Sequence, residues 1–220
     1  DMDGDGDEDY LLGNWGLNSK FMASEKLPMK MYYADFDANG TTETIVATEK
    51  KGKYYPLAGL DELAEQMPTL MRKKFNSYNS FAGKTLEEVF DKALLKKSTL
   101  FEVNTLASGW LKNEKGKFSF VPFSVELQLA PITSFVVFDF DGDSRKEVLS
   151  AGNYFGVKPF HSRFDSFSGA LIKNDNTVIN GREIGLNFYQ KAITGLNIIN
   201  IKNKPYLLVT NNRQSELYEF

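Results

Sequence analysis

Three short stretches of the chain carry oxygen side chains at one alternating spacing: "DMDGDGDED" at residues 1–9, "DFDANGTTE" at 35–43 and "DFDGDSRKE" at 139–147. Counted from the first Asp, positions 1, 3, 5 and 9 are Asp1, Asp3, Asp5 and Asp9, then Asp35, Asp37, Asn39 and Glu43, then Asp139, Asp141, Asp143 and Glu147. In a tight turn this spacing lets the side chains converge on one centre. The backbone carbonyl of position 7, which is Asp7, Thr41 or Arg145, can add a further oxygen. Hard oxygen ligands in that number suit Ca2+ better than zinc, and better than magnesium, which keeps several of its waters. A helix-flanked calcium loop would need a bidentate Glu at position 12, where this chain has Leu12, Val46 and Ser150, so that reading fails. Asn39 leaves the second loop one carboxylate short, which predicts weaker binding there. The third loop has Ser144 where the others have Gly6 and Gly40, a strained choice if the turn requires a positive φ.

Other chemistry is sparse. Cysteine is absent, which removes disulfides, zinc thiolates and a thiol nucleophile. The single histidine, His161, lies in "VKPFHSRFD" with no Ser or Cys motif beside it and reads as a loop or outer-strand residue. Its neighbours Arg163 and Asp165 are spaced to pair with each other. Trp15, Trp110, Tyr154 and Phe155 read as core packing ahead of a sugar-stacking platform. No Gly-rich phosphate cradle is present, so the chain reads as non-catalytic. A formal net charge of −3 and no basic stripe exclude a general nucleic-acid binder. No apolar run approaches the ~20 residues a bilayer span needs. A start in mid-motif, without Met, reads as a processed or excised piece of a longer protein.

The segments around the acidic loops must position them. "MYYADFD" and "FVVFDFD" lead into two loops, and "YLLG", "TIVAT" and "EVLSAG" lead out, all short β-branched and aromatic runs. Each loop is therefore expected to join two strands as a hairpin, with the leading strands buried on both faces. Gly13-Asn14-Trp15 after the first loop is echoed by Gly152-Asn153-Tyr154 after the third. A degenerate fourth unit, "LNIINIKNKPYLLVTNN", keeps the strand, turn, strand pattern, but Asn200, Lys202 and Asn203 supply no carboxylate cage. Upstream of the third loop, residues 100–127 hold two or three alternating strands with a turn at Asn113 to Lys117, giving about four strands per unit. Between residues 57 and 97 the period lengthens to that of a helix. Leu60, Leu63, Met67, Leu70 and Met71 form one apolar face; Leu86, Val89, Phe90, Ala93 and Leu94 form another. Two amphipathic helices packed on the strands are expected, the first kinked or divided at Pro68 and the second begun by the capping box Thr85-Leu86-Glu87-Glu88.

Four-stranded antiparallel units recurring along a chain match propeller blades. The acidic loops, the "GN" plus aromatic, and the phrase "LQLAPITSFVVFDFDGDSRKEVLSAGNYFGVKPFHSRFDSFSGALI" resemble the VCBS and FG-GAP repeats of integrin-alpha-like β-propellers. The likeness is greatest to large bacterial secreted proteins that join such repeats to an ASPIC/UnbV segment. It implies a mainly β fold of about four antiparallel blades, a partial propeller over residues 1–220 with a helical insertion at 57–97. It also implies Ca2+ held by the loop residues named above, and a propeller completed by the rest of a longer chain. The function implied is a binding or adhesion scaffold recognising protein or glycan through blade loops, placed outside the cell, at its surface or in a periplasm. The alternative is an accessory or catalytic module of a secreted glycan-processing system, which rests on fold analogy alone.

Overall fold

Strands form where apolar and polar residues alternate, and the acidic loops fall at turns between them. The computed structural model describes residues 1–158, 161 and 163–219, a mainly β fold of four antiparallel sheets with few helices. The strands are β1 (Tyr10–Leu12), β2 (Met29–Ala34), β3 (Glu43–Lys50), β4 (Lys53–Pro56), β5 (Thr99–Val103), β6 (Gly109–Glu114) and β7 (Lys117–Pro122). They continue as β8 (Ile132–Phe138), β9 (Glu147–Gly152), β10 (Ala170–Ile172), β11 (Val178–Asn180), β12 (Ile193–Ile201), β13 (Lys204–Asn211) and β14 (Ser215–Glu219). The helices are α1 (Leu60–Gln66), α2 (Pro68–Lys74), α3 (Tyr78–Phe81), α4 (Leu86–Val89) and α5 (Lys92–Lys97). By contact the chain divides into two compact units: residues 20–106, and residues 1–19 with the chain from Ala107 onward.

The unit of residues 20–106 holds the sheet β4-β3-β2-β5 and all five helices. The second acidic loop joins β2 to β3, whose pairing closes at Ala34 opposite Glu43, so the expected hairpin forms. Helical Leu63, Met71 and Val89, with Met67 and Phe90 at helix ends, pack with Phe36, Ile45 and Ala47 into one core. Pro68 does divide the first helical segment, standing at the first position of α2, where its missing N–H costs nothing. The two expected helices are instead five short ones, because Ser77, Thr85 and Asp91 each begin a new turn. The restart at Asp91 shifts the helical phase: Leu95 is buried, whereas the predicted Ala93 is exposed.

The other unit holds the sheets β1-β6-β7, β11-β10-β9-β8 and β12-β13-β14. The third acidic loop joins β8 to β9, with Phe138 opposite Glu147. The expected turn between Asn113 and Lys117 is present, with Lys115 and Gly116 both at positive φ (53 and 86) between β6 and β7. Strand β8 is only half-buried, as is β2; of the strands leaving the loops β9 is buried at every residue, whereas β3 is buried only in part and β1 is largely exposed. The reason is position: β9 is flanked by β10 and β8, while β8 lies at the edge of its sheet. The strands upstream of the third loop do not complete its sheet either. β5 pairs with β2, and β6 and β7 join β1, while β10 and β11 from downstream fill the third sheet.

The repeated "GN" motif marks tight crossings. At Gly152 a Cβ would meet the Pro131 carbonyl oxygen at 1.8 Å, so only glycine passes. Asn153 is 1% exposed, and its amide donates to the Phe167, Phe188 and Lys191 carbonyls while accepting from the Phe167 N–H. Gln128, which the sequence does not single out, does similar work: it is 2% exposed, accepts from the Ser108 N–H and donates to the Ser108 and Phe123 carbonyls. Trp110 is buried, and Trp15 packs edge-on against Phe164 (4.9 Å) and the half-exposed Tyr154 (5.6 Å). Arg163 and Asp165 pair at 3.3 Å. Among the described residues no helix is long and apolar enough to cross a membrane.

Candidate metal centre

Each acidic loop must turn the chain within nine residues and brings the same backbone to the task. Position 4 has positive φ in all three (Gly4 78, Ala38 59, Gly142 78), and so has position 6 (Gly6 91, Gly40 90, Ser144 71). This winding aims N–H groups inward at the first Asp. Asp1 accepts from Gly4 (2.7 Å) and Gly6 (3.2 Å), Asp35 from Asn39 (3.1 Å) and Gly40 (2.9 Å), and Asp139 from Gly142 (2.7 Å) and Ser144 (2.9 Å). Position 5 accepts from the N–H of position 7 in every copy: Asp5 from Asp7, Asn39 from Thr41, and Asp143 from Arg145.

The acid at position 9 closes the loop by accepting from the N–H of position 2: Asp9 from Met2 (2.6 Å), Glu43 from Phe36 (2.8 Å) and Glu147 from Phe140 (2.9 Å). Glu43 is 4% exposed and Glu147 is 2% exposed. Neither has a direct ion-pair partner among the described residues, although the Arg145 charge is felt at Glu147, and a buried carboxylate without a close countercharge is costly. Their second oxygens are weakly served: the Asn174 amide lies 3.4 Å from Glu147, and the Thr41 hydroxyl, 3.3 Å from Glu43, shares its one hydrogen with the nearer Asn39. Beside Glu43, the Asp37 Oδ1 atom is buried with no hydrogen-bond partner among the described residues.

Among the described residues three groups of carboxylates converge to within 4.8 Å, any of which could hold a metal: Asp1, Asp3 and Asp5; Asp35, Asp37 and Glu43; Asp139, Asp141 and Glu147. The structure thus draws together positions 1 and 3 in every loop, with position 5 in the first and position 9 in the others. Two predicted acids are engaged elsewhere. Asp9 turns its second oxygen to the Asn113 N–H at 2.8 Å, and Asp143 is held by the Arg145 guanidinium at 2.8 and 3.1 Å. The Asp7 carboxylate accepts from the Lys115 N–H at 2.8 Å, and the Thr41 hydroxyl donates to the Asn39 amide oxygen.

Lysines far along the chain face two of the loops, where no local signal announces them. Lys112 lies 3.0 Å from Asp3, and Lys173 lies 3.3 Å from Asp141. The Lys112 hydrogen bond holds the Asp3 carboxyl below the usual carboxylate range. The Arg145 N–H and then its guanidinium do the same for Asp143. Among the described residues the second loop has no such cation, although it has the fewest carboxylates. What the loops can do chemically is bind a hard cation. No protein-family model, no curated protein and no solved structure matches this chain.

Proposed function

We propose that the chain is a Ca2+-stabilised binding scaffold of the extracellular or cell-surface kind, a β-propeller segment of VCBS and FG-GAP type that recognises protein or glycan without catalysis. The observation that carries the calcium reading is the pair of buried carboxylates, Glu43 and Glu147, each beside two converging aspartates and without a direct ion pair among the described residues. A divalent cation supplies a close positive charge. The donor set is all oxygen and rich in carboxylate, which favours Ca2+ over zinc, and over Mg2+, which keeps several of its waters and takes few carboxylates. The four antiparallel sheets and the threefold recurrence of one loop geometry support the repeat reading.

Binding then couples to folding, because without the ion each loop confines like charges within a few ångströms. Three divalent ions would raise the formal charge from −3 by about six units. Calorimetry in calcium and in chelator tests the proposal. Calcium should raise the melting temperature, and Asp139→Ala should show a smaller rise than the parent. An equal rise in Asp139→Ala would remove the third loop as a site; no rise in the parent would end the calcium reading.

A further inference from the structure

The unit of residues 20–106 carries a second feature, which the acidic loops do not use. A cleft of about 690 Å³ lies between strands β2 and β4 and the α4–α5 stretch, within the size range of small-ligand sites. Buried Leu86 and Leu95 and the half-buried rings of Tyr32 and Tyr54 line it. Four lysines, Lys30, Lys53, Lys92 and Lys96, border it against two glutamates, Glu87 and Glu88. That local surplus of positive charge stands in a chain whose net charge is −3.

The lysines are not all spent within the fold. Lys92 pairs with Glu87 at 2.7 Å, and Lys30 lies 4.5 Å over the Tyr54 ring and 3.4 Å from Glu102. Lys53 and Lys96 have no ion-pair partner among the described residues. The Tyr54 hydroxyl is committed to the Pro28 carbonyl at 2.9 Å, whereas the Tyr32 hydroxyl has no hydrogen-bond partner among the described residues. Burial raises the Tyr32 pKa, so this hydroxyl stays a donor at neutral pH.

We propose that this cleft binds an acidic oligosaccharide, pyranose rings of which some bear a carboxylate or a sulfate. The half-buried Tyr32 ring offers flat apolar surface to a sugar face, Lys53 and Lys96 pair with the anionic groups, and the Tyr32 hydroxyl and Glu87 serve ring hydroxyls. A nucleic acid, with a phosphate on every residue, would be repelled by Glu87 and Glu88. The inference rests on the reading of the chain as a binding scaffold and not on its calcium.

Titration calorimetry at fixed calcium tests it, with a hyaluronan hexasaccharide and a chondroitin sulfate hexasaccharide as acidic probes, a chitin hexasaccharide as neutral control and a poly-glutamate peptide as the protein-like anion. At least one acidic sugar should bind, and the neutral sugar about tenfold more weakly or not at all. The double variant Lys53→Gln with Lys96→Gln should lose about tenfold in affinity, and Tyr32→Phe severalfold, with the calcium-induced rise in melting temperature unchanged. Equal binding of the neutral sugar, poly-glutamate binding as tightly as either sugar, an unaffected double variant, or no acidic sugar bound would each overturn the proposal. Loss of the calcium response with sugar binding intact would overturn only the calcium reading.

Discussion

Ser144 holds φ 71 at the loop position where its sisters have glycine, and Ala38 holds φ 59 where the other loops have Gly4 and Gly142. The left-handed region costs a residue with a Cβ about 1–2 kcal/mol, of which glycine gives back roughly 0.5–1 kcal/mol through its freer unfolded chain. Ser144→Gly and Ala38→Gly should therefore each stabilise the fold by about 0.5 kcal/mol, read as a higher urea midpoint at unchanged slope. A lower midpoint would mean that the side chain itself holds the turn. Asn153 poses the opposite case. Its one amide serves three carbonyls and the Phe167 N–H inside a site that is 1% exposed. Asn153→Ala strands the Phe167 and Lys191 carbonyls and the Phe167 N–H, while the Phe188 carbonyl keeps the Lys191 N–H, and should cost about 3 kcal/mol, measurable by equilibrium unfolding. A loss under about 1 kcal/mol would show that water or a shifted chain replaces the amide.

The terminal hairpin turns on a single carboxylate. In β14, Glu216 accepts from the Lys191 ammonium at 2.6 Å, the Tyr218 hydroxyl at 2.6 Å, the Asn211 amide at 3.1 Å and the Gln214 amide at 3.2 Å. Burial would raise its pKa, but the Lys191, Tyr218 and Gln214 hydrogen bonds outweigh it and lower the value to about 2. The folded value lies below the unfolded one, so the stabilisation is present above about pH 4.5 and is lost as pH falls toward about 2. Burial first, and then the Glu216 carboxylate, push the Tyr218 pKa up to about 12, so its share is present below about pH 10 and fades above it. Glu216→Gln should therefore be less stable than the parent at pH 6 by about 1–2 kcal/mol, a gap that closes near pH 2. A gap that stays constant with pH would rule out the charged network as its source. Nothing in "NNRQSELYEF" points to Lys191, and this is the general pattern of what the sequence conceals. Loops, hairpin turns, the helical stretch and the break at Pro68 are readable, because Asp spacing, turn glycines and apolar period act over a few residues. Sheet membership, the buried face of β9 and the amide of Gln128 are not, because each is settled by a neighbour distant along the chain. The Ala93 misassignment is intermediate: Asp91 is a legible cap, but its phase shift shows only once the helix is seen to restart there.

The molecule as a whole distributes its candidate calcium loops unevenly. The second lies in the unit of residues 20–106, the first and third in the other unit. The two units also carry different natural reporters. Both tryptophans, Trp15 and Trp110, belong to the unit with the first and third loops, and the five α-helices among the described residues belong to the other. Tryptophan fluorescence therefore follows one unit on heating, and the far-ultraviolet helix signal follows the other. At a hundredfold excess of calcium over its dissociation constant, one site adds about 2.7 kcal/mol, which moves the midpoint of a domain of roughly 100 residues by about 10 °C or more. Asp139→Ala should cut the calcium-induced shift seen by fluorescence and leave the helix signal's shift in place; Asp35→Ala should do the reverse. The second loop lacks the cations that face Asp3, Asp141 and Asp143, so it has no internal pair to break on binding. That favours the shift removed by Asp35→Ala being at least as large as the one removed by Asp139→Ala, against the ranking by carboxylate count. If both variants moved both signals equally, the two units would unfold as one, and the calcium energy could not be assigned loop by loop.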